Sequence, residues 1–215
     1  LMIKKLSPLP EILVNKYKTW KSSYYLDNSE KFNKLAEEGQ NPTTLVISCC
    51  DSRIHATSIF GAGEGEFFIH RNIANLVPHF SNSSEHLGTS ATIEYATSEL
   101  KIEHIIILGH TGCGGIKTAY NNYKKSNDKD YLFINKWLSI LTPIFKNFSN
   151  ESSIKNQIQK LEEESIKNSI NNLFSFPNIK QDVENNRIQV HGLIHDIGSG
   201  DLKYLNPITE EFEKV

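Results

Sequence analysis

The sequence predicts an α/β fold: a central, mainly parallel β-sheet of four to five strands flanked by helices, preceded by an N-terminal helical arm. Three observations carry this. The runs TLVIS (44–48), EFFIH (66–70) and HIIILGH (104–110) have the length and β-branched, apolar character of buried strands. Between the second and third, SATIEYATSELK (90–101) has helical periodicity, and strands that alternate with helices favour parallel pairing. Before any strand begins, residues 11–39 place Ile12, Tyr17, Trp20, Tyr24, Tyr25, Phe32 and Leu35 at helical spacing.

In chain order, residues 1–40 form the arm, as two amphipathic helices, and residues 41–215 the α/β domain. GAGEGE (61–66) precedes a strand instead of following one, so it reads as a plain turn and not a phosphate-binding loop. Residues 131–176 are rich in Leu, Ile, Phe and Trp at helical spacing and read as a helical pair, broken at Pro143 and stopped by Pro177. RIQVHGLIHD and DLKYLNP, joined by the turn Ile197-Gly198-Ser199-Gly200-Asp201, read as a hairpin at the sheet edge.

With 215 residues, 38% of them hydrophobic, and a formal net charge of −2, the chain can bury a core but offers no basic face to phosphates. Nucleic-acid partners are therefore not expected. The opening LMIKKLSPLPEIL breaks at Ser7, Pro8 and Pro10 before a signal-type apolar stretch develops, and no run approaches a membrane span. Three cysteines, two of them adjacent, make a poor disulfide framework and suit a reducing compartment, with the cytoplasm as the expectation.

In a parallel sheet, ligands gather at the carboxyl ends of the strands. Cys49 stands at that end of the first strand, and His110 and Cys113, in GHTGCGG, at that end of the third. Two thiolates and one imidazole suit zinc, and three protein ligands leave a fourth position open. Strand alternation directs Cys50 away from Cys49 and into the packing. The other seven histidines, among them His55, His70 and His104, read as surface or satisfied core residues. Asp51 and Arg53 lie beside the site. The carboxylate could complete a closed tetrahedron, or be held off the metal by a bidentate ion pair with the guanidinium.

Cys-x-Asp-x-Arg (CCDSR) followed by His-x-x-Cys (HTGC) resembles the β-class carbonic anhydrases. The likeness continues through GEFFIHRNIANLVP (65–78), SATIEYA (90–96), GHTGCGGI (109–116), NLFSFP (172–177) and VHGLIHDIGSGDL (190–202). It implies one Zn2+ per subunit held by Cys49, His110 and Cys113, with Asp51 and Arg53 as a catalytic dyad. The implied reaction is reversible hydration of carbon dioxide to bicarbonate and a proton, by attack of zinc-bound hydroxide on CO2. Gln40 matches a glutamine that donates to the substrate oxygen; Phe68, Ile73 and Tyr95 match an apolar substrate pocket, and Gly114 a glycine whose N–H serves the anionic product.

One branch of the family has tryptophan three residues before the first ligand. Val46 stands there in this chain, which argues for the plant-like branch with an open site. The resemblance also implies a homodimer or higher homo-oligomer whose subunits embrace through residues 1–40. Alternatives are a zinc hydrolase of carbonyl sulfide or carbon disulfide, and a non-catalytic zinc protein with a closed site.

Overall fold

The computed structural model describes residues 6–81, 85–125, 131–146, 148 and 153–215. It divides into two compact units, Leu1–Asn41 and Pro42–Val215. In the first, α1 (Glu11–Trp20) starts after Pro10, whose ring presets the entry, and runs into a π-helical turn, Lys21–Tyr25, before α2 (Ser29–Glu38). The aromatic positions spaced along 11–39 meet as a cluster. Tyr25 stacks on Phe32 at 5.0 Å, and Trp20 meets Tyr25 at 5.4 Å and the edge of Phe32 at 5.9 Å. Gly39, at φ +77°, closes α2 in a conformation that disfavours any side chain.

The second unit is built on a sheet of order β2-β1-β3-β4-β5-β6. Its strands are β1 (Thr44–Cys49), β2 (Phe67–Asn72), β3 (His104–His110), β4 (Gln189–His195), β5 (Leu202–Leu205) and β6 (Phe212–Lys214). The first four pair in parallel and the last two antiparallel. The mainly parallel sheet is as expected, but it has six strands. The sequence hairpin is β4–β5, and β6, three residues long and too short to show a periodicity, adds the edge beyond it.

Two helices flank β2 in sequence, α3 (Ala56–Phe60) before it and α4 (Leu87–Ser98) after it. After β3 come α5 (Gly114–Tyr123), α6 (Leu132–Leu138), α7 (Thr142–Phe145), α8 (Ile154–Leu173) and α9 (Pro177–Glu184). The predicted helical pair is thus three helices, with Pro143 in the first turn of α7. Pro177 does not only stop a helix: it sits at the first position of α9, where its missing N–H has no intrahelical partner to lose.

Side-chain alternation along the strands sends one set to each face. Val46 and Leu108 pack with Ile116 of α5 and Leu161 of α8; Leu45, Ile47, Ile105 and Ile107 pack with Ile93 of α4, Ile166 of α8 and Ile179 of α9. Helix α8 lies against β3 and β4 because glycines leave it room. A Cβ on Gly109 would stand 2.7 Å from Ile166 Cδ1, and one on Gly192 2.9 Å from Ile170 Cδ1.

β1 lies between β2 and β3, so the chain leaves β1 to one side and returns to the other. At such a switch point the strand ends splay and open a crevice at their carboxyl ends, which here are Cys49 and His110.

Candidate metal centre

Cys49 ends β1, His110 ends β3, and Cys113 caps the start of α5. The tight turn between the last two passes through Gly112 at φ +68°. Their ligand atoms lie within 4.8 Å of one another and all three residues are buried; among the described residues this is the one such group of His, Cys, Asp and Glu. The two sulfurs are 3.9 Å apart. Two sulfurs at ~2.3 Å from one tetrahedral zinc would be about 3.8 Å apart, so the spacing suits that ion.

The imidazole is prepared as a ligand. His110 Nδ1 lies 3.0 Å from the Thr111 carbonyl, which can only accept, so Nδ1 carries the proton and Nε2 the lone pair. Nε2 is buried without a hydrogen-bond partner. A buried acceptor left empty is costly, and a metal ion would satisfy it.

The three side chains also affect one another's protonation. A hydrogen bond from Cys113 lowers the Cys49 thiol against the opposing effect of burial, helped by His110 and by the backbone of Asp51 and Ala74. Sharing with Cys49 and burial push the Cys113 thiol up. Without a cation the pair thus gives up one proton easily and holds the second. For His110, burial lowers the pKa, but the neighbouring Cys49 sulfur and the Thr111 carbonyl outweigh it and the net shift is upward.

Glu162 of α8 supports the turn. Its Oε1 accepts the Cys113 N–H at 2.8 Å, and burial raises its carboxyl while that hydrogen bond pulls it back.

Asp51 is engaged by Arg53 at both oxygens: Nε donates to Oδ1 at 2.9 Å and Nη2 to Oδ2 at 2.7 Å. The Arg53 N–H also donates to Oδ1 at 3.0 Å. These hydrogen bonds hold the Asp51 carboxyl well below the usual carboxylate range. Arg53 Nη2 donates in addition to the Gly112 carbonyl at 3.0 Å, tying the dyad to the turn that carries two of the candidate ligands.

The remaining expected site residues are placed as follows. Phe68 on β2 meets Tyr95 of α4 at 5.8 Å between ring centroids. Ile73 and Tyr95 are exposed at 43% and 48%, so neither is spent on the core of this unit. Gly114 opens α5 with free space around it. Gln40 is an exposed residue of the first unit, just past Gly39.

Cys50 is not in the packing. It is exposed, because β1 ends at Cys49 and the chain turns, so strand alternation no longer governs residue 50. His70 is satisfied as expected, held by the Thr89 and Thr92 hydroxyls at 3.0 and 3.2 Å. GAGEGE is a turn whose Gly63 N–H donates to Glu66 Oε1.

Sequence reasoning gave no role to Arg71, Ala74 or Trp137. Ala74 and Asn75 both have positive φ, 64° and 51°, and are buried; Trp137 Nε1 donates to the Ile73 carbonyl at 2.8 Å. None of these has a signal in composition or spacing.

The family model described as carbonic anhydrase matches residues 44–202. A β carbonic anhydrase 3 of Arabidopsis thaliana is 33% identical over 184 residues, 84% of this chain and 70% of the relative. A carbonic anhydrase of Emericella nidulans is 34% identical over 194 residues, covering 88% and 80%. Among solved structures, a β-carbonic anhydrase of Sordaria macrospora, described as tetrameric, superposes with a TM-score of 0.79 at 32% identity, over 91% of this chain and 95% of that one.

Proposed function

The chain belongs to the β-class carbonic anhydrases, and we propose that it catalyses reversible hydration of CO2 to bicarbonate and a proton with one zinc per subunit. The observation that carries this is the buried Cys49, His110 and Cys113 group, with the neighbouring Asp51 held by Arg53. Zinc, when bound by these residues, supplies the Lewis acidity that makes hydroxide available from water near neutral pH.

The chain's own residues do the rest. Asp51, its carboxyl held ionised by Arg53, accepts a hydrogen bond from the nucleophilic oxygen and so orients its lone pair toward the CO2 carbon. Phe68, Ile73 and Tyr95 give uncharged CO2 an apolar wall. The Gln40 amide donates to a substrate oxygen, a role drawn from the family resemblance. Gly114, in the first turn of α5, has an N–H without an intrahelical partner and serves the anionic product.

The open-site reading is supported by the bidentate Asp51–Arg53 pair and by Val46 in place of tryptophan. A homodimer or larger homo-oligomer, clasped through residues 1–40, is supported by the tetrameric description of the Sordaria relative. No helix among the described residues is long and apolar enough to cross a membrane, and the three free cysteines keep the cytoplasm as our proposed compartment.

Stopped-flow CO2 hydration from pH 6 to 9, on protein with verified zinc content, tests the reading. Turnover that rises with pH is expected. Absence of turnover even at alkaline pH overturns it, and carbonyl sulfide hydrolysis assayed on the same samples identifies the rival enzyme.

A further inference from the structure

The segment that follows Cys49 has few backbone-to-backbone hydrogen bonds. Within it the Ile54 N–H donates to the Asp51 carbonyl at 3.2 Å, and the Cys50 N–H reaches across to Asn72 at 2.9 Å. Yet Asp51 must stay with Arg53, although its Oδ2 is only 3.9 Å from His110 Nε2. A small swing of this segment would carry the carboxylate to a cation bound there.

Arg71 bears on this segment from outside. It stands on β2, in register with Ser48 of β1. From there Nε donates to the Cys49 carbonyl at 2.9 Å, and Nη2 to the carbonyls of Asp51 at 2.7 Å and Ile54 at 3.0 Å. All three acceptors are backbone atoms of residues 49–54. A planar guanidinium suits the task, because its fork presents donors in fixed directions from a stem anchored in a strand.

We propose that Arg71 is a positioning residue for the hydration reaction: it clamps residues 49–54 so that Asp51 faces Arg53 and stays off the metal. This rests on the function proposed above. Arg71 grips Asp51 by its backbone carbonyl, whereas Arg53 grips the carboxylate, so Arg71 sets where residue 51 stands and Arg53 sets where its side chain points. Without Arg71, three carbonyls lose a charge-assisted donor and turn to water, and other backbone conformations of the loop become accessible.

The test uses the full-length, zinc-loaded protein. Arg71→Met keeps the aliphatic stem and removes the donors. We expect at least a tenfold loss of kcat/KM for CO2 in the native background but less than twofold in an Asp51→Asn background, because the clamp acts through Asp51. Equal losses in both backgrounds would mean general structural damage and overturn the proposal.

Amide hydrogen exchange at residues 52–54, with zinc retained, should speed up at least tenfold in Arg71→Met; unchanged exchange also overturns it. If Arg71→Met does not fold, Arg71→Lys is read the same way, with at least a threefold effect expected. Should the unmodified protein fail to hydrate CO2, the functional reading falls and exchange alone decides the role of Arg71. Exchange also decides where Asp51→Asn is too slow to assay.

Discussion

Asp51 and Arg53, two residues apart, form a bidentate ion pair, with N···O distances of 2.9 and 2.7 Å, at the edge of a buried Cys2His group. Each Asp51 oxygen already accepts a hydrogen bond from Arg53. The pair therefore separates two functions that adjacent positions in the sequence leave mixed: Cys49 is available to hold the metal and Asp51 to act beside it.

Removing Asp51 should then spare the metal and damage the chemistry. Asp51→Ala is expected to keep about one zinc per chain while losing at least tenfold in kcat, and Cys49→Ala to lose the metal. Elemental analysis with stopped-flow kinetics checks both. Equal metal loss in the two variants would indicate that Asp51 is itself a ligand.

The pH dependence has a definite sign. The Asp51 carboxyl is depressed in the folded state, so its contribution to stability is present above the unfolded carboxylate value of about 4 and is lost only as pH falls through the folded value. From pH 6 to 8 the pair is constant. The imidazoles of His70, lowered by burial, and His191, lowered by burial and by His104, act in that window. Their folded values lie below about 6.5, so acidification favours the unfolded chain. The urea midpoint of zinc-loaded protein should drop between pH 8 and pH 6, and drop less in His70→Gln/His191→Gln. An identical drop in both proteins would remove these histidines from the pH response.

Gly115→Ala probes the backbone next to the expected pocket. The added Cβ would lie 2.8 Å from Ile73 Cγ2 and 3.0 Å from Ala74 Cβ, beside a buried stretch already at positive φ. We expect a destabilisation of about 1–3 kcal/mol together with a reduced kcat/KM, measured by urea unfolding and CO2 hydration. Gly114→Ala, where the space is open, serves as the stability control.

Gln40→Ala should lower CO2 turnover several-fold with zinc content and oligomeric state unchanged, as read by kinetics, elemental analysis and light scattering. An unchanged rate would take Gln40 out of the mechanism.

The parts of the fold legible in the sequence were those with local, repeating causes. Apolar runs marked β1, β2 and β3 to within two residues; β1 is buried along its whole length, whereas β2, expected to be buried, is an edge strand with no fully buried residue. Where the cause was too short or not local, reading failed. β6, at three residues, shows no period, and Pro177 looks like a terminator unless the first turn that follows it is recognised. Cys50 was misplaced because alternation was extended one residue past the end of its strand.

The candidate site divides along the same line. The sequence by itself determined the donor types, Cys49, His110 and Cys113, and the carboxylate and guanidinium beside them, because chemical identity is written residue by residue. Only the tertiary structure decided that Nε2 of His110 is the empty nitrogen, that Asp51 turns to Arg53, that α8 comes close enough for Glu162 to hold Cys113, and that Arg71 reaches three carbonyls across from β2. The first two turn on neighbours in the chain whose geometry the fold fixes, and the last two on atoms far apart in it. Their placement is set by the packing of helices and strands, which no single stretch of sequence encodes.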